Sequence, residues 1–143
     1  MKIDYSPDEN VKLPKIAAEI LKMGEEDQNT VMGESKTFRK ICREHTTRIK
    51  QIINTHGYPT VSLVGKKASH WAWLLIQHSD HDVDFQQKCL ETMKSNSEGE
   101  VTRNNIAYLE DRVRKNRDQP QVYGTQFVKR GGSWEVWPVE NID

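Results

Sequence analysis

The sequence predicts a mainly α-helical domain, with about five helices and a C-terminal two-stranded β-hairpin packed on the helix bundle; an α+β fold is the alternative. Apolar residues recur at helical spacing through most of the chain, and after Pro120 the pattern changes to two short β-prone segments separated by "KRGG". A length of 143 residues fits one domain. We therefore expect an irregular leader over residues 1–12 and one globular domain over residues 13–143.

The first two helices are predicted from apolar spacing and from residues that suit helix ends. Pro14 fits a first helical turn, and the apolar period continues to about Thr30, before a loop over residues 32–35. A second apolar stripe covers residues 38–53, and Gly57 follows where helices commonly have a C-terminal glycine. These patterns predict two amphipathic helices.

Three further helices are predicted in the middle of the chain. Residues 57–65 are predicted to be a connector, because Pro59 disfavours helix and the glycines punctuate the segment. The third helix is expected over about residues 66–79. Apolar residues occupy most of its sides, so it should be central and buried. The aspartates of "DHDVD" suit the start of the fourth helix, and Thr102 suits the start of the fifth.

The C-terminal segments "VYGTQFV" and "SWEVWPV" are predicted to form the hairpin. An isolated hairpin is marginally stable, so we expect Phe127, Trp134 and Trp137 to pack it on the helices. In an extended chain, successive side chains point to opposite sides. One side should then carry Gln121, Tyr123 and Thr125, and the other Gly124 and Gln126.

Composition excludes several classes of protein. Lys and Arg total 21, as do Asp and Glu, and nucleic-acid binding proteins usually show a basic excess, so a nucleic-acid partner is not expected. The longest apolar run, "WAWLLI", is too short to span a membrane, and the N-terminus lacks the apolar core of a signal peptide. Cys42 and Cys89 have no metal-binding spacing and are expected to be reduced and buried. We expect a cytoplasmic protein, either in its own cell or, if delivered, in a host cytosol.

Two polar features fall in unusual places on the first two helices. Carboxylates in "EEDQ" (residues 25–28) stand at a helix C-terminus, where the helix dipole favours cations. They are either a solvated helix end or residues that point into a site. His45 lies within the apolar stripe of the second helix, and we interpret it as a core residue rather than a catalytic one.

The segment "QHSDHD" (residues 77–82) holds the densest group of potential metal ligands in the chain. It lacks a ligand spacing typical of a helical metal site, and helix capping explains its aspartates, so we predict no metal site and no cofactor. Gln77 and His78 are different, because they directly follow the apolar residues of the central helix. These two side chains are therefore candidate site residues.

The segments "AYLEDR" and "QVYGTQ" contribute the remaining candidates. Tyr108, Asp111 and Arg112 lie near one face of the fifth predicted helix. Gly124 in an extended segment lets a ligand approach closely, and glutamine side chains bind amides, carbonyls and nucleobase edges because they both donate and accept hydrogen bonds. These features predict a polar pocket.

Together, the motifs "EEDQ", "GYPTVSLVGKKASHWAWLLIQHSD", "AYLEDR" and "PQVYGTQF" resemble a bacterial family of unknown function that is widespread in actinobacteria. The resemblance implies no catalytic assignment. It does imply that the polar candidates belong to one set of motifs, and several of them would be costly to bury without partners. The set comprises Asp27, Gln28, Gln77, His78, Tyr108, Asp111, Arg112, Gln121, Tyr123 and Gln126.

The first functional hypothesis is a domain that binds a small polar or nucleotide-like molecule, with hydrolase or transferase activity as an open extension. His78 would be the general acid or base, Asp111 or Asp27 would orient it, and Arg112 would hold an anion. We assign His78 and Asp111 as catalytic candidates. The ligand-binding candidates are Asp27, Gln28, Gln77, Tyr108, Arg112, Gln121, Tyr123 and Gln126.

The alternative hypothesis is a non-catalytic module that binds or inhibits a partner protein, with Trp134 and Trp137 as interface anchors. In a third, purely structural interpretation, the polar residues only tie the hairpin to the helices. The sequence does not decide between catalysis and binding, and it does not indicate an oligomeric state.

Overall fold

A computed structural model describes residues 2–30 and 35–140. Over these residues the chain forms helices followed by a β-hairpin, which confirms the predicted mainly α fold. Most of the predicted loop at residues 32–35 and the last three residues lie outside the described ranges. The helices are α1 (Pro14–Asn29), α2 (Lys36–His56), α3 (Val61–Gln77), α4 (Val83–Ser95) and α5 (Arg103–Asn116), and the strands are β1 (Phe127–Arg130) and β2 (Ser133–Val136).

Helix α3 is the centre of the fold, as its apolar sequence predicts, and it packs against each of the other four helices. Its closest neighbour is α1, where Gly24 lets the ring of Trp71 approach so closely that an added Cβ would lie 2.9 Å from it. Every helix contributes side chains to one core. Fully buried examples, one from each helix, are Ile20, Ile49, Ile76, Leu90 and Leu109. No helix in the described ranges is long and apolar enough to cross a membrane.

The prediction of a connector over residues 57–65 is wrong for residues 61–65, which belong to α3. Helix α3 begins at Val61, directly after the N-cap residue Thr60. Pro59 precedes this cap, so its missing N–H and its restricted φ interrupt no helical turn. At its other end α3 stops at Gln77, slightly earlier than predicted.

A kink at Gly65 divides α3, because this residue has φ 88° and ψ 166°. A left-handed φ is readily adopted only by glycine. The predicted leader, which has no helix or strand over residues 2–12, packs at this kink, where the Asp8 carboxylate accepts the N–H of Lys67 at 3.1 Å. Asp8 thus acts as a cap for the helical segment that leads to the candidate site.

The caps of the other helices agree in part with the sequence. Asp82 caps α4 by accepting the N–H of Phe85 at 3.1 Å, and Gly57 ends α2 with φ 86°. Thr102 stands at the N-cap position of α5, but its side chain makes no capping hydrogen bond.

The hairpin forms where predicted, with Phe127 paired to Val136 and Arg130 paired to Ser133 in an antiparallel ladder. The two glycines of the turn have φ values of 54° and 82°, which suit a two-residue hairpin turn. The expected packing of Phe127 and Trp134 on the helices is wrong, because these side chains are 49% and 70% exposed. The hairpin is attached instead through the segments on either side of its strands.

Candidate functional site

A carboxylate and an imidazole meet where α1 and α3 end. Asp27 lies in the last turn of α1, and His78 directly follows α3. The distance between Asp27 Oδ2 and His78 Nδ1 is 2.8 Å. The Asp27 side chain is completely buried, whereas the His78 side chain is 12% exposed. This arrangement places one edge of the imidazole against a buried negative charge and leaves the other edge near the surface.

Three further residues complete what we call the dyad cluster, defined as Asp27, Gln28, Phe38, Cys42 and His78. The Nε2 of Gln28 donates a hydrogen bond to Asp27 Oδ1 at 3.1 Å. The ring of Phe38 packs edge-on against His78, with centroids 5.4 Å apart. Ligand-type atoms of Asp27, Cys42 and His78 all lie within 4.8 Å of one another. Residues from α1, α2 and the end of α3 therefore converge on one point.

The contact with Asp27 determines the tautomer of His78. A carboxylate accepts hydrogen bonds, so Nδ1 is the donor, and in the neutral ring Nε2 then keeps a free lone pair. Within the described ranges, the hydrogen bond of the His78 ring is the one at Nδ1. His78 Nε2 is therefore the atom in this cluster that can accept a proton from a bound molecule.

Cys42 is a neutral thiol rather than a nucleophile. Burial, together with the negative charges of Asp27 and Asp80, raises its pKa to about 12, although Arg112 acts in the opposite direction. A nucleophilic cysteine requires the thiolate, which this environment disfavours. The sequence-based expectation that Cys42 and Cys89 are buried and reduced is confirmed.

Asp111 belongs to a different arrangement. Its carboxylate is completely buried and accepts the backbone N–H groups of Val122, Tyr123 and Thr125 at 2.8, 3.0 and 3.0 Å. The hydroxyl of Thr125 donates a fourth hydrogen bond at 2.8 Å. Asp111 therefore fixes the loop over residues 122–125. Of the two alternatives for the group that orients His78, Asp27 makes the contact, whereas the Asp111 carboxylate is bound to the loop.

The glutamines of "QPQVYGTQF" explain how the loop is joined to the hairpin. Gln121 donates from Nε2 to the carbonyls of Gln126 and Trp137 at 3.0 and 2.6 Å, and its Oε1 accepts the Gln126 N–H at 2.8 Å. The expected alternation is wrong, because Gln121 is buried while Tyr123 is 61% exposed. The chain turns at Gly124, which has φ 80°, around the Asp111 carboxylate. We call residues 119–126 with Asp111 and Trp137 the loop clamp.

Arg112 joins the loop clamp to the end of α3. Its guanidinium donates to both carboxylate oxygens of Asp80, at 2.8 and 2.6 Å, and to Oε1 of Gln126 at 3.0 Å. Asn116 also donates to Asp80 at 2.8 Å. Burial raises the pKa of Asp80, but these bonds more than offset it and hold the pKa below its usual value.

Gln77 and Tyr108 lie between α3 and α5. The Nε2 of Gln77 donates to the backbone carbonyl of Tyr108 at 3.1 Å, while its Oε1 is buried and has no partner in the described part of the chain. The ring of Tyr108 is 44% exposed and meets Trp73 edge-on, with centroids 6.0 Å apart. Gln77 is thus oriented by α5 rather than by Asp27.

The ten residues predicted to belong to one polar pocket lie in two groups. Asp27, Gln28 and His78 are in the dyad cluster, and most of the others are in or beside the loop clamp. The two groups adjoin, because Arg112 binds Asp80, which lies two residues after His78.

The residues of "HSDHD" do not converge on one another. Asp80 binds Arg112, and Asp82 caps α4 and pairs with Lys50. Asp84, just beyond this segment, pairs with Arg117 at 3.1 Å. Among the residues that the structure describes, the group able to hold a metal ion is Asp27, Cys42 and His78.

Glu26, next to Asp27, faces a second histidine. Its Oε1 lies 3.3 Å from Nε2 of His45, which is 4% exposed. The contact lacks hydrogen-bond alignment, since both ring nitrogens of His45 are without a hydrogen-bond partner in the described ranges. At the end of α1, Asp27 is completely buried, whereas the Glu26 side chain is 49% exposed.

Sequence reasoning missed the position of Cys42. Its spacing places it on the buried stripe of α2, which correctly indicates burial but not which residues it meets. Its proximity to Asp27 and His78 depends on how three helices cross, and no local pattern carries that information. The buried contact between Thr46 and Ser79, with hydroxyls 2.6 Å apart, was missed for the same reason.

Comparisons with known proteins give one match. The sequence profile described as "Family of unknown function (DUF6624)" matches residues 14–133, which include both groups of polar residues. Neither the curated proteins nor the solved structures include a match to this chain.

Proposed function

Because the chain belongs to the DUF6624 family of unknown function, its activity has to be inferred from its own site, and we propose that it is a hydrolase or transferase. Its substrate is a small polar or nucleotide-like molecule, His78 is the general base, and Asp27 positions His78. The observation that carries this proposal is the 2.8 Å contact between Asp27 Oδ2 and His78 Nδ1 at a completely buried carboxylate.

The burial of Asp27 supports a functional role because it is costly. A carboxylate removed from water must be compensated by hydrogen bonds or by a positive charge. Asp111 receives that compensation from three backbone N–H groups and a hydroxyl, which is a sufficient structural explanation. Asp27 accepts from two side chains, those of Gln28 and His78. A fold rarely keeps such an arrangement unless the imidazole is needed in a fixed orientation.

The proposed chemistry uses the free nitrogen of His78. Nε2 accepts a proton from a substrate hydroxyl or from a water molecule as it attacks, which requires an approach to within about 2.6–3.2 Å. Asp27 stabilises the imidazolium that forms and keeps Nδ1 protonated throughout. The imidazolium then gives the proton to the leaving group. Cys42 takes no covalent part, because burial keeps its thiol protonated.

Exposed side chains in the two groups supply candidate contacts to a polar substrate. Gln28 and Tyr123 are exposed and can contact a ligand. Gln121 and Gln126 are buried and bound to each other, so we propose that they shape the loop rather than touch the substrate. Arg112 can hold an anion only in addition to Asp80, which occupies the Nε and Nη2 edge of its guanidinium.

The proposal is tested with chromogenic esters and phosphoesters, such as p-nitrophenyl acetate and p-nitrophenyl phosphate. The wild type is expected to hydrolyse at least one of them, and His78→Gln should lower the rate by about 10²–10⁴-fold, the usual contribution of a general base. His81→Gln is the matched control, because His81 is an exposed histidine on the same turn. Equal rates for the wild type and His78→Gln, or equal losses in both variants, would contradict the proposal.

A protein-binding module is the second candidate, and the exposed hairpin favours it. Cross-strand pairing puts Phe127, Lys129, Trp134 and Val136 on one face, and the three apolar side chains are 49%, 70% and 52% exposed. Aromatic side chains are common anchors of interfaces. If binding is the function, Trp134→Ala should abolish association with the partner while His78→Gln leaves it intact. Association that survives Trp134→Ala would contradict this second candidate.

A further inference from the structure

Three different ligand types, from three parts of the fold, meet in the dyad cluster. Asp27 comes from α1, Cys42 from α2, and His78 from the turn after α3. A carboxylate oxygen, a thiol sulfur and an imidazole nitrogen lie within 4.8 Å of one another, and two of the three residues are buried. This combination differs from an ordinary acidic surface patch, which is exposed and offers oxygen alone.

We propose that Asp27, Cys42 and His78 bind a borderline divalent cation such as Zn²⁺, and that the bound ion blocks proton transfer by His78. The proposal of a metal-binding site rests on the geometry of the three residues alone. The blocking effect rests on the proposed function of His78.

The donor set selects the class of ion. Sulfur, nitrogen and carboxylate oxygen together suit Zn²⁺, whereas Ca²⁺ and Mg²⁺ require mostly oxygen ligands. Ligand atoms in a tetrahedral zinc site are about 3.3–3.7 Å apart, as follows from bond lengths of about 2.0–2.3 Å. Side-chain adjustments of about 1 Å would therefore bring the three atoms onto one ion.

The protonated thiol does not prevent binding. A metal ion removes the proton of a coordinating thiol, and that proton passes to solvent without any oxidation or reduction. The buried charge of Asp27, which disfavours a second negative charge on Cys42, is neutralised when the cation arrives. The cation and the thiolate thus stabilise each other in the same place.

Metal binding removes the base function at either nitrogen of His78. If the ion binds Nε2, the lone pair that accepts the substrate proton is occupied. If it binds Nδ1, it takes the position of the proton donated to Asp27, and the single proton of the neutral ring moves to Nε2. In both cases Nε2 has no lone pair to offer. Zn²⁺ is therefore expected to inhibit the enzyme.

Cobalt(II) is the probe for this site, because a Co²⁺ ion bound to a thiolate produces a charge-transfer band in the near ultraviolet. Titration of the full-length wild type should give a band that saturates at one ion per chain and disappears on addition of Zn²⁺. Cys42→Ser should lose the band. Cys89→Ser should keep it, and serves as the matched control because Cys89 is the other buried cysteine and is not part of the cluster. No band in the wild type, or a band that persists in Cys42→Ser, would overturn the site.

A second variant covers the case in which Cys42→Ser does not fold, which circular dichroism would reveal. Asp27→Asn should weaken Co²⁺ binding at least about tenfold, the lower end of the effect of disturbing a metal site, and unchanged affinity would overturn the site. Inhibition is measured separately, as loss of wild-type ester hydrolysis with Zn²⁺ and recovery with a chelator. Activation by Zn²⁺ would overturn the blocking role. A cobalt band without measurable hydrolysis would contradict the proposed function and leave the metal site standing.

Discussion

Asp111 holds Thr125 at two points, accepting its backbone N–H at 3.0 Å and its hydroxyl at 2.8 Å on the same oxygen, Oδ2. The other oxygen accepts the N–H groups of Val122 and Tyr123. One carboxylate on α5 thereby determines the course of a four-residue loop. Asp111 and Asp27 are both completely buried. We nevertheless expect substitution of Asp111 to reduce stability and substitution of Asp27 to reduce activity.

Asp111→Asn is expected to destabilise the protein by about 2–4 kcal/mol. An asparagine side chain offers one acceptor oxygen, and its NH2 group would face backbone N–H groups that also donate. The free energy of unfolding is measured by urea denaturation. Asp84→Asn is the control, since the Asp84 side chain is 87% exposed and its replacement should change stability by no more than about 0.5 kcal/mol. A loss below about 1 kcal/mol for Asp111→Asn would mean that the loop does not depend on this carboxylate.

Asp27→Asn is expected to have the opposite profile. The change keeps the shape of the side chain and removes a buried negative charge that no backbone N–H of the described residues compensates, so stability should stay within about 1 kcal/mol of the wild type or rise. Hydrolysis should fall, because Asn presents its Nδ2 or Oδ1 to the imidazole without the charge that stabilises an imidazolium. Urea denaturation and ester hydrolysis are measured on the same preparations. A large loss of stability with normal activity would assign Asp27 a purely structural role.

The sequence predicts elements whose signals are local, and it does so for the helices and for the hairpin turn. The apolar stripe that ends at Gly57 predicts a helix and its C-terminus, and the paired glycines in "KRGG" predict a tight turn. Neither prediction needs information about distant residues. Pro59 misled the prediction because a proline just before an N-cap is compatible with a helix that starts two residues later. The alternation of Gln121 and Tyr123 failed because a carboxylate from another element competes with the strand for the backbone N–H groups of the loop.

The candidate site is predictable only in part for the same reason. Asp27 and His78 stand out in the sequence because polar groups follow buried helical faces. Their mutual contact, and the addition of Cys42, arise from helix crossings. Gln77, next to His78, is turned to the Tyr108 carbonyl by the packing of α3 on α5, which no spacing in the sequence encodes.

The ion pair between Asp82 and Lys50 predicts a pH dependence. The hydrogen bond from Lys50 and that from the Phe85 N–H hold the pKa of Asp82 below its ordinary value of 3.8. A lowered folded-state pKa contributes stability that is present above the unfolded value and is lost as the pH falls through the folded value. The pair should therefore stabilise the protein at neutral pH and lose its effect in acid below pH 3.8.

Asp82→Asn isolates this charge, because asparagine is also a good N-cap residue and keeps the capping oxygen. At neutral pH the variant should be less stable by about 0.2–1 kcal/mol, the usual range for a partly exposed ion pair. Urea denaturation of both proteins over a pH series should show the two stabilities converging in acid. A difference that is constant with pH would mean that the cap, rather than the charge, is affected.

The last prediction concerns how the hairpin is attached. Phe127 and Trp134 are exposed, so the apolar residues of the strands contribute little to its docking. Gln121 is completely buried and makes three hydrogen bonds, two to carbonyls and one to a backbone N–H, that join the loop to both ends of the hairpin. Gln121→Ala strands these groups and should cost about 2–4 kcal/mol in urea denaturation, because each unpaired buried polar group costs about 1–3 kcal/mol. Trp134→Ser should change stability by no more than about 0.5 kcal/mol, as is usual for surface positions. If Trp134→Ser proved the more destabilising of the two, the hairpin would have to pack on the helices through its strands, and the attachment through Gln121 would be wrong.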